Sequence, residues 1–121
     1  MLTEQKHKSY GTDGEELAVQ FLLQNEYHIL DKNFRCKKGE IDIIAQSDGY
    51  LCFIEVKRRK SLSAGHPLEA INTQKIKRIC STALHYLRYR NLPDLTPIRF
   101  DVVSIIGEDV TLIKNAFSFI C

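Results

Sequence analysis

Apolar positions along this chain fall first at helical spacing, then at strand spacing, then at helical spacing again, and finally as strands. Leu17, Ala18, Phe21 and Leu22 recur every three or four residues, which predicts a helix stopping near Asn25. Thr12 and Glu15 ahead of them fit the capping box S/T-x-x-E. Tyr27–Phe34 reads as a first strand. Glu40–Gln46 and Tyr50–Lys57 are two runs rich in Ile, Val, Phe and Tyr around Ser47-Asp48-Gly49, a strong hairpin signal. Pro67 opens a second helical stretch, Leu68–Tyr89, in one or two pieces. Its apolar stripe is Ile71, Ile76, Ile79, Cys80, Ala83, Leu84 and Leu87. After Pro93 and Pro97, Ile98–Ile106 is a strand, with Phe100, Val102 and Ser104 on one face and Asp101, Val103 and Ile105 on the other. Gly107–Asp109 turns into a short strand, Val110–Ile113; Phe117, Phe119 and Ile120 pack back or form an apolar tail. The order α-β-β-β-α-β-β with one crossover helix predicts an α/β fold. A central mixed sheet of about five strands is flanked by helices, in a single domain over residues 1–121 with the first ten or so frayed.

The hairpin carries the chemistry. With Asp48-Gly49 as the turn, facing residue numbers sum to 97, so Asp42 falls opposite Glu55 and Glu40 opposite Lys57. All four share one face, and Ile41, Ile43, Ile54 and Val56 take the other. Opposed residues have Cβ atoms about 4.5–5.5 Å apart, and like charges there are destabilising. Ile43-Ile44-Ala45 and Cys52-Phe53-Ile54 are apolar at consecutive positions, so both faces are covered and the charges need partners. A hard divalent cation would offset the repulsion, since Mg²⁺ is held by one or two carboxylates plus water and phosphate. Lys57, on the same face, could orient a water or stabilise charge on phosphate. The ordinary alternative is a surface ladder with a Glu40–Lys57 ion pair.

Composition narrows the setting without deciding it. The chain has 121 residues, 44% hydrophobic and 26% charged, as expected of a globular protein. Its net charge of +2 demands no polyanionic partner, so basic surface must come from local clustering. The run Lys57-Arg58-Arg59-Lys60 is such a cluster, followed by a small polar loop, Ser61–Gly65, a candidate flap. Cys36, Cys52, Cys80 and Cys121 include no CxxC pair, which argues against structural zinc and for unpaired thiols in a reducing cytoplasm. The polar start MLTEQKHKSY is not a signal peptide, and no apolar run approaches the ~18–20 residues of a membrane span.

Gly39-Glu40-Ile41-Asp42 followed by Phe53-Ile54-Glu55-Val56-Lys57 resembles the D…ExK signature of the PD-(D/E)xK nuclease superfamily. More narrowly, the chain resembles the UPF0102 (YraN-like) family, related to archaeal Holliday-junction resolvases. Gly14–Ala18 is similar to the family's G-E-x-x-A, and Arg99-Phe100-Asp101 to its RFDV run. The resemblance implies a restriction-endonuclease-like fold and hydrolysis of P–O bonds in DNA, with branched DNA the resolvase-like substrate. It implies Mg²⁺ or Mn²⁺ on Asp42 and Glu55 with the Val56 carbonyl, Glu15 ordering water, and Lys57 positioning the attacking water. Glu16 adjoins Glu15 and points about 100° around the helix. Lys75 resembles the family's helix lysine, and Gln74 stands where related nucleases carry a polar site residue. Arg58, Arg59, Lys60 and Lys75 are the nucleic-acid contacts this suggests, and resolvase kinship raises a homodimer. Asp101 reads as structural.

Two classes follow: a metal-dependent nuclease, and a non-catalytic nucleic-acid-binding domain that keeps the fold. A metal-free partner domain is a third. Intact Asp42, Glu55 and Lys57 favour the first.

Overall fold

Asp48 and Gly49 both adopt positive φ, 56° and 79°, as a two-residue hairpin turn of the I′ type requires. From Ser47↔Tyr50 the ladder keeps the sum of 97 as far as Ile43↔Ile54. The structure, a computed structural model, describes residues 10–59 and 71–120, with the side chains of the first helix from residue 14 on. Around the hairpin lie α1 (Tyr10–Gln24), β1 (His28–Cys36), β2 (Gly39–Ser47), β3 (Tyr50–Arg59), α2 (Thr73–Tyr89), β4 (Ile98–Ile106) and β5 (Asp109–Phe117). The strands form one sheet in the order β1-β2-β3-β4-β5. All neighbours are antiparallel except β3 and β4, which run parallel. Among the described residues the fold is thus α/β, a five-stranded mixed sheet flanked by two helices in the expected order and consistent with a restriction-endonuclease-like architecture.

Alternation along β3 builds a core on each face of the sheet. Leu51 and Phe53 pack with Ile41, Ile44 and Phe100 beneath Ile79, Ala83, Tyr86 and Leu87 of α2. Cys52 and Ile54 pack with Ile43, Ala45, Val103 and Ile105 beneath Ala18 and Leu22 of α1. Consecutive buried positions in β2 and β3 follow from this double cover. None of Cys36, Cys52 and Cys80 is in a disulfide. Among the described residues no helix is long and apolar enough to cross a membrane.

Several elements differ from the pattern-based expectation. Thr12 lies inside α1, which is already helical at Tyr10. An N-cap has a non-helical backbone, so the capping box does not form there. The second helix begins at Thr73, where the Asn72 side chain caps it by accepting from the Lys75 N–H. Leu84 is exposed, and Tyr86 takes its place in the buried stripe. The closing strand β5 extends to Phe117, whose ring stacks on Phe100 at 5.0 Å. The N-terminal segment before residue 10, Lys60, the Ser61–Gly65 loop, Pro67, Leu68 and Cys121 lie outside the described residues.

Ile41 and Ile43 do not share a face: Ile41 packs beneath α2 and Ile43 beneath α1. The cause sits on the neighbouring strand. Asn33 has φ 55°, and β1 pairs with β2 at Lys32↔Ile43 and Phe34↔Ile41 but not at Asn33/Asp42 between them. A single left-handed residue, which Asn tolerates, re-aims both chains at that point.

Candidate functional site

Past Ile43↔Ile54 the β2–β3 ladder ends, so the expected Asp42–Glu55 pairing is replaced by another contact. Asp42 Oδ2 accepts a hydrogen bond from the Val56 N–H at 2.8 Å. The two carboxylates still converge. Asp42 and Glu55 line one open cleft of about 240 Å³, together with Gly39 and Glu40 of β2 and Lys75, Arg78 and Ile79 of α2. Lys75 Nζ reaches across from the first turn of α2 to Glu55 Oε2 at 2.7 Å.

The electrostatics are those of crowded acids met by amines. Burial and then the charge of Glu55 raise the Asp42 carboxyl from 3.8 to about 7, against the pull of the Val56 N–H; Glu15 adds to the rise. Lys57 is half-buried, and its ammonium is held below its ordinary range by burial and then by the positive charge of Lys75. Burial also pulls Lys75 down, but its hydrogen bond and ion pair with Glu55 outweigh that and raise it. Asp42, Glu55, Lys57 and Lys75 therefore form one interacting group drawn from β2, β3 and α2.

Other expected residues stand apart from this group. Glu15 Oε1 accepts from Asn33 Nδ2 at 3.1 Å, and both Glu15 and Glu16 line a separate groove with Val19, Gln20 and Lys32. Glu15 reaches Asp42 by its field rather than by contact, and Glu16 is exposed. Glu40 does not pair with Lys57; it faces Arg35 across β1 and bridges it at 3.4 Å, because Arg35 is its ladder partner. Gln74 is exposed outside the cleft. Arg58 and Arg59 do not form one patch, since neighbours on a strand point to opposite faces. Arg58 turns toward α1, where its Cδ lies 3.4 Å from the position a Cβ on Gly14 would occupy. Sequence reading missed Arg78 as part of the cleft wall. It also missed Asn33, whose only signal was an Asn inside a strand.

Asp101 serves a different end of the molecule. Fully buried, it accepts from Tyr27 O–H (2.7 Å), Arg99 Nε (2.9 Å) and the Asn115 N–H (2.9 Å). Arg99 continues to Asp48 in the hairpin turn, so this network ties the turn to β4, away from the Asp42 cleft. Tyr27 is raised by burial and by its bond to Asp101, and burial pushes the Cys52 thiol up to about 12.

Among the described residues no group of three or more His, Cys, Asp and Glu side chains is arranged to hold a metal ion by itself. The cleft instead offers Asp42 and Glu55 on adjacent strands, while the third acid of its lining, Glu40, is bridged by Arg35. Hard oxygen donors in that number suit Mg²⁺ or Mn²⁺, which complete their shell with water and phosphate. They do not suit a closed structural zinc site, which needs four ligands.

Comparison with known proteins places the chain among relatives of its own length. The model of "Uncharacterised protein family UPF0102" matches residues 14–105. A UPF0102 protein of Lachnoclostridium phytofermentans is 49% identical over 110 residues, covering 91% of this chain and 93% of the relative. Another, from Acetivibrio thermocellus, is 45% identical over 120 residues, covering 91% and 92%. A third, from Persephonella marina, is 41% identical over 107 residues, covering 88% and 91%. The matched span runs from within the Glu15 helix almost to the end of β4 and so contains the β2, β3 and α2 residues that line the cleft; the chain belongs to the UPF0102 family.

Proposed function

We propose that this protein is a divalent-metal-dependent nuclease that hydrolyses phosphodiester bonds of DNA, branched DNA included. The observation that carries this reading is the convergence of Asp42, Glu55 and Lys75 on one open cleft, with the Lys57 ammonium close enough to feel all three. Asp42 and Glu55 hold the cation, Mg²⁺ or Mn²⁺, with the Val56 carbonyl as a further oxygen donor. The cation, when bound, supplies Lewis-acid polarisation of the phosphate and lowers the pKa of water. Lys57 orients the attacking water and steadies charge building on the phosphate oxygens. Burial and the neighbouring Lys75 charge hold its ammonium below the ordinary lysine range, which eases loss of a proton. Lys75 holds Glu55 in place and offers a second cation to the phosphate. Glu15 adds negative field from the α1 side.

The test joins metal binding to cleavage. Mn²⁺ is expected to bind saturably and to raise the melting temperature of the wild type but not of Asp42→Ala. Plasmid, linear duplex and four-way-junction DNA incubated with Mn²⁺ are expected to be nicked by the wild type and left intact by Lys57→Ala. A second reading has one observation in its favour: the Lys75 ammonium already neutralises Glu55 at 2.7 Å. On that reading the domain binds nucleic acid without cutting it. DNA retention with no cleavage across all substrates and metals would establish it and end the nuclease proposal.

A further inference from the structure

Glu55, Lys57 and Arg59 alternate along β3 and so project from one face, the face of the cleft. The parallel ladder to β4 runs without a register shift through Arg59↔Ile106, so this alternation holds to the end of the strand. Arg59 is half-buried, and its Nε and Nη2 are buried with no hydrogen-bond partner. They are the only buried side-chain nitrogens or oxygens in that condition among the described residues. A guanidinium does not shed its proton, so these donors remain charged as well as unpaired. Burying such a group is unfavourable unless an acceptor meets it. The contrast with Arg99 is direct: its guanidinium is met by Asp101, Asp48 and the Tyr27 hydroxyl.

Nε and Nη2 are the two parallel donors of the side-on edge of a guanidinium. That edge matches two oxygens of one phosphate in a bidentate pair. We propose that Arg59 is the receptor for the backbone phosphate next to the one that is cleaved. Two residues beyond Lys57, about 6.6 Å farther along the strand, it reaches past the phosphate that Lys57 serves to its neighbour on the same DNA strand. Arg58, on the opposite face, takes no part. This inference rests on the nuclease reading and adds to it a positioning residue that sets the register of the DNA strand in the cleft.

Binding of fluorescein-labelled duplex DNA, followed by anisotropy in Ca²⁺ buffer over a series of KCl concentrations, tests it. Arg59→Met is expected to weaken binding to every DNA sequence alike. It should reduce the magnitude of the slope of log K against log [KCl] by about one, as loss of a single phosphate contact does. The same variant is expected to melt no lower than the wild type, because it removes an unpaired buried charge. Arg58→Met, which deletes the same charge from the other face, is expected to leave the slope unchanged. Arg59→Lys keeps the charge but not the fork; it is expected to keep the salt slope while losing affinity several-fold, and it decides the matter if Arg59→Met does not fold. An unchanged slope in Arg59→Met, or wild-type affinity in Arg59→Lys, overturns the assignment; if the wild type still nicks DNA with Mn²⁺, the nuclease reading survives it. A wild type that neither binds nor nicks DNA ends both.

Discussion

At Asp42, burial and the neighbouring Glu55 charge act in the same direction, and the carboxyl is raised to about 7. A carboxyl raised in the folded state contributes stability that is fully present below its ordinary value near 3.8 and is lost as pH rises through about 7. Metal-free protein is therefore expected to melt progressively lower between about pH 4 and pH 8 on account of this residue. Asp42→Asn should flatten that dependence in thermal melts with EDTA, and melt higher than the wild type at pH 8. The same slope in both proteins would show that Asp42 is not the group responsible. Asp101 poses the opposite case, a fully buried acid with every side met. Tyr27→Phe deletes one charge-assisted donor, and urea unfolding is expected to register a loss of about 1.5–3 kcal/mol.

Among the elements, the hairpin was legible and its far end was not. Asp48-Gly49 specifies a turn type, and the turn specifies a register, so the pairing down to Ile43↔Ile54 followed from a few residues. The break at Asp42 did not, because it depends on Asn33 adopting φ 55° on the adjacent strand. Nothing local to Asp42 announces that. Alternation alone then misassigned Ile41, which packs beneath α2 with Ile44. Glu40 was misassigned for a related reason: the β2–β3 ladder stops short of Lys57, and the ladder partner Glu40 keeps is Arg35 of β1. Lys75 opposite Glu55 is a tertiary contact between a helix and a strand, and no periodicity within either element encodes it. These causes make Asn33 a test of the element as a whole. Asn33→Gly is expected to preserve the kink and cost little stability, whereas Asn33→Val forces a branched side chain into a left-handed backbone. That variant is expected to lose about 1–2 kcal/mol in urea unfolding and to weaken Mn²⁺ binding through Asp42. Equal behaviour of the two variants would remove the kink as the feature that aims Asp42.

For the whole molecule, the cleft is assembled from segments of very different sequence separation. Asp42 and Glu55 are joined by a tight turn, but Lys75 belongs to the crossover between β3 and β4, whose first pair, Leu51↔Ile98, is 47 positions apart. Closing the local hairpin costs little chain entropy, while docking the crossover costs more and is slower. Stopped-flow chevrons should separate the two. Gly49→Ala, strained at φ 79°, is expected to slow refolding, the signature of a turn that forms in the rate-limiting ensemble. Lys75→Met is expected to leave refolding unchanged and to speed unfolding, the signature of a bond to Glu55 that is made after the barrier. Those two outcomes together would mean that the acids meet early in folding and that their amine arrives last. During synthesis, a chain halted before α2 would display the paired carboxylates with no counter-charge from that helix.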